Sequence, residues 1–418
     1  MKQIDCSPRF LSGLKTLELC LTVYQSRYFD TYPRDLLHQL SKNENFLKHL
    51  THLNCTFFEG LENYDELMGV LFSRAPQLSS INFNLGSQAR YYGSADEVYR
   101  ECKEGKVLKQ LEKMNNLKTL RMTVYGIKTF VNNFVPTLSL QKVILDIHHS
   151  FYDPHLLDLF QEGGGLFFDH WKKLHNLGTL KILMHQIENS NDHLHKFILP
   201  LLQAIPALKK FRLELTNSKG VSWRKCEHRK PLDLSLLFDN VITLKQLQSL
   251  KVLNCQLLDD LQPTREYEKM IFTTKERQLL SNLTEINLYG DLLEESFDFK
   301  GFLRLFSPAL DGESVKRSFK ISRLSFKSIQ GFAEFVKLVS RMKNTKFNLD
   351  IGLKVQDTKG LDQIVEYFKL PIPLERDVVI SLKISVYWRD LSVSEKGWEE
   401  RDKNIRLIFK NFKLSLSC

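Results

Sequence analysis

The sequence has few cysteines and no pattern that would use them for chemistry. Its 7 cysteines are scattered over 418 residues, and no CxxC pair occurs among them. Zinc ribbons and dithiol redox motifs need such pairs, so neither class has support. Scattered thiols are typical of proteins from a reducing compartment. The sequence therefore predicts an intracellular protein, either cytoplasmic or nuclear.

Long apolar runs are also missing. No uninterrupted run reaches the roughly 18 to 20 residues that a membrane helix needs. Residues 1–25 contain charged side chains, among them Lys2, Asp5 and Arg9, where a secretory signal would be apolar. Glycine (19) and proline (12) are few for this length, which argues against extended disorder. We therefore expect a folded protein with no membrane association.

Catalytic and metal-binding motifs are absent. The sequence contains no GxxxxGK[ST] phosphate loop, no GxSxG turn and no kinase signature. Eight of the 12 histidines lie between His148 and His195, but their spacing does not bring zinc ligands together. We therefore predict a non-enzymatic protein without a metal site or cofactor.

The feature that does stand out is a short apolar phrase, LxxLxL, which returns along the chain. A fixed apolar phrase that recurs every 20 to 50 residues or so is typical of solenoid proteins. Its copies, some with conservative replacements, are Leu14-Leu17-Leu19, Leu50-Leu53-Cys55, Leu78-Ile81-Phe83, Leu117-Leu120-Met122, Leu140-Val143-Leu145, Leu177-Leu180-Ile182, Leu208-Phe211-Leu213, Leu247-Leu250-Val252, Leu283-Ile286-Leu288 and Ile321-Leu324-Phe326. Weaker strands are predicted around Leu349-Ile351-Leu353, Leu382-Ile384-Val386 and Leu414-Leu416.

Between the phrases the apolar residues switch to helical spacing. One such stripe is Phe197-Ile198-Leu201-Leu202-Ile205, which is followed by Pro206 as a helix stop. Parallel strands need crossover connections, and a helix between successive strands supplies one. The predicted fold is an α/β leucine-rich-repeat solenoid, a horseshoe with a parallel concave sheet and helices on the convex side.

These phrases resemble those of leucine-rich repeat proteins of the ribonuclease-inhibitor-like class. The chain is most similar to the irregular repeat arrays of fungal F-box proteins. The asparagine or cysteine that closes an orthodox repeat occurs only at Cys255, and other copies have Thr22, Phe58, Tyr125 or His148 in its place. The usual polar ladder is therefore largely missing, and we do not expect uniform curvature.

The predicted organisation has three parts. Residues 1–13 form an N-terminal edge or cap, residues 14–390 form the irregular repeats, and residues 391–418 form a C-terminal helix and strand cap. An F-box is not visible, and the chain begins almost directly in a repeat although terminal repeats normally need a cap. We expect either a diverged cap or, with a slight preference, a fragment that lacks an N-terminal module.

The predicted binding face follows from the phrase itself. Its third, fifth and seventh residues point away from the core and into the concave side. On consecutive strands these positions hold the basic residues Arg121, Lys142, Lys181, Lys210, Arg212 and Lys251. Such a stripe fits an acidic or phosphorylated peptide, because arginine can engage carboxylate or phosphate through two hydrogen bonds. The alternative is an ordinary solvated sheet face.

A second basic feature is the loop from Lys219 to Lys230, KGVSWRKCEHRK. It could contact phosphates or act as a localisation signal, and an aromatic side chain in it offers a stacking surface. A solvated loop is the competing interpretation. The residues concerned are Lys219, Trp223, Arg224, Lys225, Arg229 and Lys230.

The leading functional hypothesis is a scaffold that binds a protein partner on its concave face. The F-box resemblance implies that the partner would be a substrate presented to a ubiquitin ligase. It also implies that subunits of the ligase would bind the protein. The alternative hypothesis is a nucleic-acid-binding repeat protein that uses the basic stripe. The net charge of +10 favours acidic partners of either kind.

Overall fold

The structure is a computed structural model, and it resolves a repeated strand and helix pattern. It describes residues 15–21, 44–57, 64–85, 105–124, 127–148, 164–185, 194–205, 207–216, 246–256, 283–293, 316–326, 328–342, 345–355, 358–368, 378–386 and 395–417, with the single positions 237, 241, 244 and 303. These residues fall into two compact units, the first holding strands β1–β6 and the second holding strands β7–β13.

The first unit is a parallel sheet in which each strand pairs with the next one along the chain. Its strands are β1 Thr16–Leu21, β2 His52–Phe57, β3 Ser80–Leu85, β4 Thr119–Val124, β5 Lys142–His148 and β6 Thr179–His185. Its helices are α1 Glu44–His49, α2 Tyr64–Arg74, α3 Ile127–Asn133, α4 Gly164–Lys172 and α5 Leu199–Ala204, and residues 105–111 are also helical. A π-helical turn, Leu194–Ile198, leads directly into α5.

The second unit repeats this arrangement with longer strands. They are β7 Lys210–Thr216, β8 Ser249–Gln256, β9 Glu285–Leu293, β10 Arg317–Phe326, β11 Thr345–Val355, β12 Val378–Val386 and β13 Lys413–Ser417. All neighbouring pairs in this unit are parallel. Its described helices are α6 Ile329–Val339, α7 Thr358–Phe368 and α8 Glu395–Ile408.

The phrase LxxLxL accounts for the strands because its apolar residues all reach the core. Leu117 and Leu120 are at most 1% exposed, and so is Met122, the last apolar residue of that phrase. The intervening positions alternate to the other side, as the period of two along a strand requires. The prediction of a repeated α/β unit built on a long parallel sheet is confirmed. We call the side to which the third, fifth and seventh residues point the polar sheet face.

The same tight turn precedes each of the strands β2–β8. The N–H of the first leucine donates to the carbonyl three residues earlier, as Leu78 does to Ala75 at 3.1 Å and Leu117 to Met114 at 3.1 Å. Those earlier positions are mostly apolar and buried, so they belong to the core as well. The repeat therefore starts three residues before the phrase that the sequence displays.

A backbone ladder follows the turn and joins successive repeats. The carbonyl of Thr51 accepts from the N–H groups of both Ser79 and Ser80, at 2.9 and 3.1 Å. The carbonyl of Ser79 does the same for Lys118 and Thr119, at 2.8 and 2.9 Å. The pattern recurs in the second unit from Lys209 and Gln248. Because these bonds involve only main-chain groups, the repeats join without the asparagine ladder of orthodox repeats.

Side chains add a smaller ladder at the same edge. The amide of Asn116 donates to the carbonyl of Pro76 at 2.9 Å, and that of Asn176 donates to the carbonyl of Leu138 at 3.4 Å. The hydroxyl of Ser139 donates to the carbonyl of Leu117 at 2.8 Å. Polar side chains thus do link repeats, but these side chains lie before β4, β5 and β6. In orthodox repeats the polar ladder lies after the strand.

Aromatic rings fill the space between helices in both units. In the first unit, Phe167 lies 5.6 Å from Phe130, 5.8 Å from Trp171 and 6.2 Å from Phe197 between ring centroids. In the second unit, Phe332 of α6 meets Phe326 of β10, Phe368 of α7 and Phe409 after α8, at 5.7, 5.9 and 6.1 Å. Such rings bury large apolar areas, which holds each helix layer against its sheet.

The repeat is least regular at β10. Its pairing with β9 shifts register between Ser322 and Leu324, and its pairing with β11 shifts between Ile321 and Leu324. These shifts mark a β-bulge. Ile321, the first residue of the last clear phrase, lies inside the strand, whereas the matching Leu283 precedes its strand. Phe319 also points inward and is 1% exposed. The sequence phrase therefore marks only the second half of this longer strand.

The segment predicted as a C-terminal cap, residues 391–418, contains α8 and β13. The predicted N-terminal part, residues 1–13, lies outside the described residues. Within the part of the chain that the structure describes, no helix is long and apolar enough to cross a membrane.

We expect the substitution Phe332→Ala to lower the free energy of unfolding by about 3 to 5 kcal/mol, because it leaves a cavity among fully buried rings. Urea unfolding followed by circular dichroism measures the change. The matched control is Leu407→Ala on α8, whose side chain is 62% exposed. It should alter stability by less than about 0.5 kcal/mol. Equal effects of the two substitutions would contradict the aromatic core.

We expect the thiol of Cys55 to resist alkylation while the protein is folded. Cys55 lies on β2 with no exposed surface, and burial raises the pKa of its thiol to about 12. The thiolate, which is the reactive form, is therefore scarce at pH 8. Iodoacetamide labelling followed by peptide mass spectrometry should modify Cys55 only in denaturant. Comparable labelling of the native protein would show that the strand opens.

Candidate binding face

The six basic residues predicted as a binding stripe all lie on the polar sheet face. In the first unit, Arg121 on β4 and Lys142 on β5 are exposed, and Lys181 on β6 is half-buried. In the second unit, Lys210 on β7 is exposed, whereas Arg212 on β7 and Lys251 on β8 are half-buried. The strands thus present these side chains away from the leucine core.

The register in the first unit staggers the three cations. Arg121 and Lys181 share a register with Ile144, which lies between them on β5. Lys142 lies two residues earlier along its strand, in register with Thr119 and Thr179. Neighbouring strands are about 4.8 Å apart and two residues span about 6.6 Å. The three cations therefore form a triangle, not the straight stripe that the sequence suggested.

On β5 the third outward position of the polar face holds the half-buried Asp146, but on β4 and β6 the face is open only over the first two outward positions. At the third, Thr123 is 1% exposed and Leu183 is 8% exposed, so both are buried although they point away from the leucine core. Nearer the start of the strands, the amide of Asn82 donates to Asn54 at 2.7 Å across β2 and β3. The cations of β4–β6 therefore sit on a band two residues wide.

In the second unit a carboxylate of the chain itself pairs with Lys251, one of the predicted binding residues. The ammonium of Lys251 lies 2.7 Å from Glu285 Oε1, and the Ser249 hydroxyl donates to Glu285 Oε2 at 2.5 Å. Partial burial opposes ionisation of Glu285. The hydrogen bonds from Lys251 and Ser249, with the charges of Lys251 and Lys210, outweigh it and hold the pKa of Glu285 below its usual range.

Arg212 is engaged in the same way. Its Nη2 lies 3.0 Å from Glu214 Oε2, two residues further along the same strand. Both groups of this pair are partly shielded, with 39% and 19% of their side chains exposed. Two of the three cations predicted to bind a partner here are thus paired with carboxylates of the chain itself. The prediction named Arg212 and Lys251 from their outward positions alone and did not consider their pairing with these carboxylates.

The sequence contained the signal for one of these pairs. Residues two apart on a strand share a face, so Glu214 had to lie beside Arg212. The pair between Lys251 and Glu285 depends on the register of β8 with β9, which places Lys251 opposite Asn287 and next to Glu285. A single repeat phrase does not contain that information.

The polar face of the second unit also has cations that the stripe did not include. The outward-facing side chains described on β7–β13 hold eight cations and three carboxylates. The carboxylates are Glu214, Glu285 and Asp350. The cations are Lys210, Arg212, Lys251, Lys320, Lys346, Lys354, Lys383 and Lys413. Five of the eight lie on β10–β13, beyond the strands where the sequence placed the site.

Two other predictions concern the basic loop and metal binding. The basic loop from Lys219 to Lys230 lies outside the described residues. Among the residues that the structure does describe, no group of three or more His, Cys, Asp or Glu side chains could hold a metal ion. The polar sheet face therefore offers charge and hydrogen-bond donors as its chemical means of binding.

Comparison with known proteins does not assign the chain to a family. Neither a protein-family model nor a curated protein matches the chain.

We expect the substitution Glu285→Gln to destabilise the protein slightly at neutral pH, by less than about 1 kcal/mol, because the pair with Lys251 is only partly buried and is screened by solvent. Since the folded-state pKa of Glu285 is lowered, its contribution is present above the pKa of an unfolded glutamate, about 4.3. The contribution is lost as pH falls through the folded-state pKa. Urea titrations at pH 7, 5 and 4 follow the difference.

The matched control for that titration is Asp350→Asn. Asp350 points to the same face of β11 and makes no ion pair among the described residues. Its substitution should leave stability nearly unchanged at every pH. A wild-type advantage over Glu285→Gln that grows on acidification would contradict the assigned pair.

Proposed function

We propose that this protein is a non-enzymatic binding scaffold whose polar sheet face takes up an acidic protein partner. The observation that supports this is the charge on that face in the second unit, where the described outward side chains include eight cations and three carboxylates. The other side of the sheet holds the buried apolar residues and is packed against α6 and the rings around it. The polar face is thus the side of the sheet left for recognition.

The physical basis is a fixed grid of side chains. Within each unit the described strands are hydrogen-bonded to their neighbours, so outward residues recur about 4.8 Å across and about 6.6 Å along the sheet. A face with one sign of charge attracts an oppositely charged partner and speeds its association. Repeat proteins commonly bind through such extended surfaces. Binding of this kind requires no conformational change of the sheet.

A catalytic role has little to support it. The polar face lacks a histidine near a carboxylate or nucleophile among the side chains described on β4–β13. Its carboxylates Glu214 and Glu285 are held by Arg212 and Lys251. General acid and base catalysis needs groups free to exchange protons near neutral pH. Such paired carboxylates suit a binding surface better.

The finer proposal is that the partner is a substrate delivered to a ubiquitin ligase. It rests on the resemblance of the repeat phrases to fungal F-box arrays. Affinity purification from cells should then recover cullin-ligase subunits with the partner. Recovery of unrelated proteins alone would reject the ligase role and leave the scaffold proposal standing.

Nucleic acid is the second candidate, because the same cation excess would attract phosphates. Proteins that bind single strands also stack bases on aromatic side chains. Among the described outward positions of β7–β13, Tyr289 is the one aromatic side chain, and it is 36% exposed. The polar face thus offers charge with little stacking surface, which favours an acidic protein.

We expect an acidic partner to protect the lysines of the polar face from chemical modification. The probe is a labelled oligoglutamate peptide at low salt, where exposed charges are weakly screened. Lysine acylation with mass spectrometry should show lower modification of polar-face lysines such as Lys210 and Lys383. Lys113 and Lys410 are exposed away from the strands and serve as internal controls. Absence of binding, or protection confined to the controls, would reject the proposal.

A further inference from the structure

Three lysines form a diagonal across the last three described strands. Lys354 is on β11, Lys383 on β12 and Lys413 on β13. The register pairs Lys354 with Ser385, Lys383 with Gly352 and Ser415, and Lys413 with Ser381. Each lysine therefore lies one strand over and two residues back from the one before.

This register sets the spacing of the charges. One strand sideways is about 4.8 Å and two residues along are about 6.6 Å, so successive lysine Cα atoms lie about 8 Å apart. All three side chains point to the polar sheet face and are exposed. The diagonal is thus a line of three positive charges at regular intervals on one rigid surface.

These lysines differ from the cations that the sequence singled out. Lys251 and Arg212 are bound by Glu285 and Glu214. Lys354, Lys383 and Lys413 make no ion pair with any residue that the structure describes. The nearest outward carboxylate is Asp350, which is in register with Ser381 and Lys413 and lies one strand over and two residues back from Lys383, without an ion pair to it. Their charges remain available to a partner.

Small hydrogen-bonding residues surround the diagonal. Ser381 and Ser415 occupy outward positions in register with Lys413 and Lys383. Gly352 lies beside Lys383 and has no side chain to cover it. Lys383 thus lies between Gly352 and Ser415, and Lys413 lies beside Ser381. Serine hydroxyls donate hydrogen bonds, and the small side chains leave the ammonium groups accessible from above.

We propose that this array of lysine and serine on β11–β13 is the docking site for an extended, carboxylate-rich protein segment. The inference rests on the scaffold function proposed above and moves its main contact from β4–β8 to the last three described strands. An extended peptide repeats its side chains every two residues, about 6.6 Å apart on one side. Aspartates or glutamates at such positions match the spacing of the lysines closely enough for flexible side chains to meet.

The composition of the array selects this class of ligand. Phosphate recognition favours arginine, whose planar guanidinium forms two parallel hydrogen bonds. No arginine occupies a described outward position on β11–β13. No aromatic side chain does so either, and single-stranded nucleic acid binds by stacking on such rings. Lysine acts as a point charge, which suits a flexible acidic segment.

The test compares two triple variants of the full chain. Lys354→Gln, Lys383→Gln and Lys413→Gln together remove the diagonal. The matched control is Lys48→Gln, Lys113→Gln and Lys410→Gln, which removes the same charge from exposed positions off the strands. Affinity for a fluorescein-labelled oligoglutamate peptide is measured by anisotropy at low salt. Circular dichroism and urea unfolding confirm that both variants fold.

We expect the diagonal variant to bind the peptide about tenfold or more weakly than wild type, and the control variant to lose less than about threefold. Equal losses would show that only net charge matters and would overturn the site. Wild-type binding left intact by the diagonal variant would overturn the site and leave the scaffold function standing. Failure of the wild-type protein to bind the peptide at low salt would overturn both.

A labelled single-stranded oligonucleotide of equal charge serves as the second probe. We expect it to bind more weakly than the peptide at the same salt concentration. Tighter binding of the oligonucleotide, lost in the diagonal variant, would overturn the assignment to a protein segment and identify the array as a nucleic-acid site.

Discussion

The carbonyl group just before a strand, as seen at β1–β5, β7 and β8, is the constraint on which the rest of this structure depends. By accepting two N–H groups from the following repeat, it fixes where the next strand starts. The register then follows up to the first bulge in each such pair, because parallel strands of equal start leave their residues side by side. Leucines meet leucines on the buried side, and outward residues meet outward residues. These bonds use the main chain, so side chains can diverge without loss of the repeat.

Fixed register also decides the electrostatics of the polar sheet face. It brings Glu285 to Lys251 although 33 residues separate them in the chain, and it places Ser249 as a second donor to the same carboxylate. Further along, it sets Lys354, Lys383 and Lys413 on a diagonal among serines. The basic residues on β7–β8 and those on β11–β13 therefore differ in whether carboxylates of the chain pair with them. On β7–β8, Arg212 and Lys251 are paired with carboxylates of the chain, and on β11–β13 Lys354, Lys383 and Lys413 face solvent without an ion pair to any described residue.

Much of the fold could be predicted from the repeat phrase, and the failures have physical causes. The helix expected over Phe197–Ile205 exists but begins with a π-helical turn at Leu194 and contains Pro200 in its first α-helical turn. Proline is tolerated there because the first turn has no N–H partner to lose. The bulge at Ser322–Leu324 was not predicted, since local apolar spacing does not record an extra residue in one strand. Of the candidate site, the outward direction of Arg121 and Lys142 could be read directly, but the lysines of β10–β13 were not recognised as a set.

The sequence by itself determined the repeat, the inward leucines and the excess of positive charge on the opposite face. Alternation along a strand is a local property, so a single phrase suffices to assign a side chain to one face or the other. Only the tertiary structure decided which charges are neighbours. That depends on the register between strands some 30 residues apart, and on the bulges that shift it. For this protein the difference separates Lys251, held by Glu285, from Lys383, which remains open on the same kind of surface.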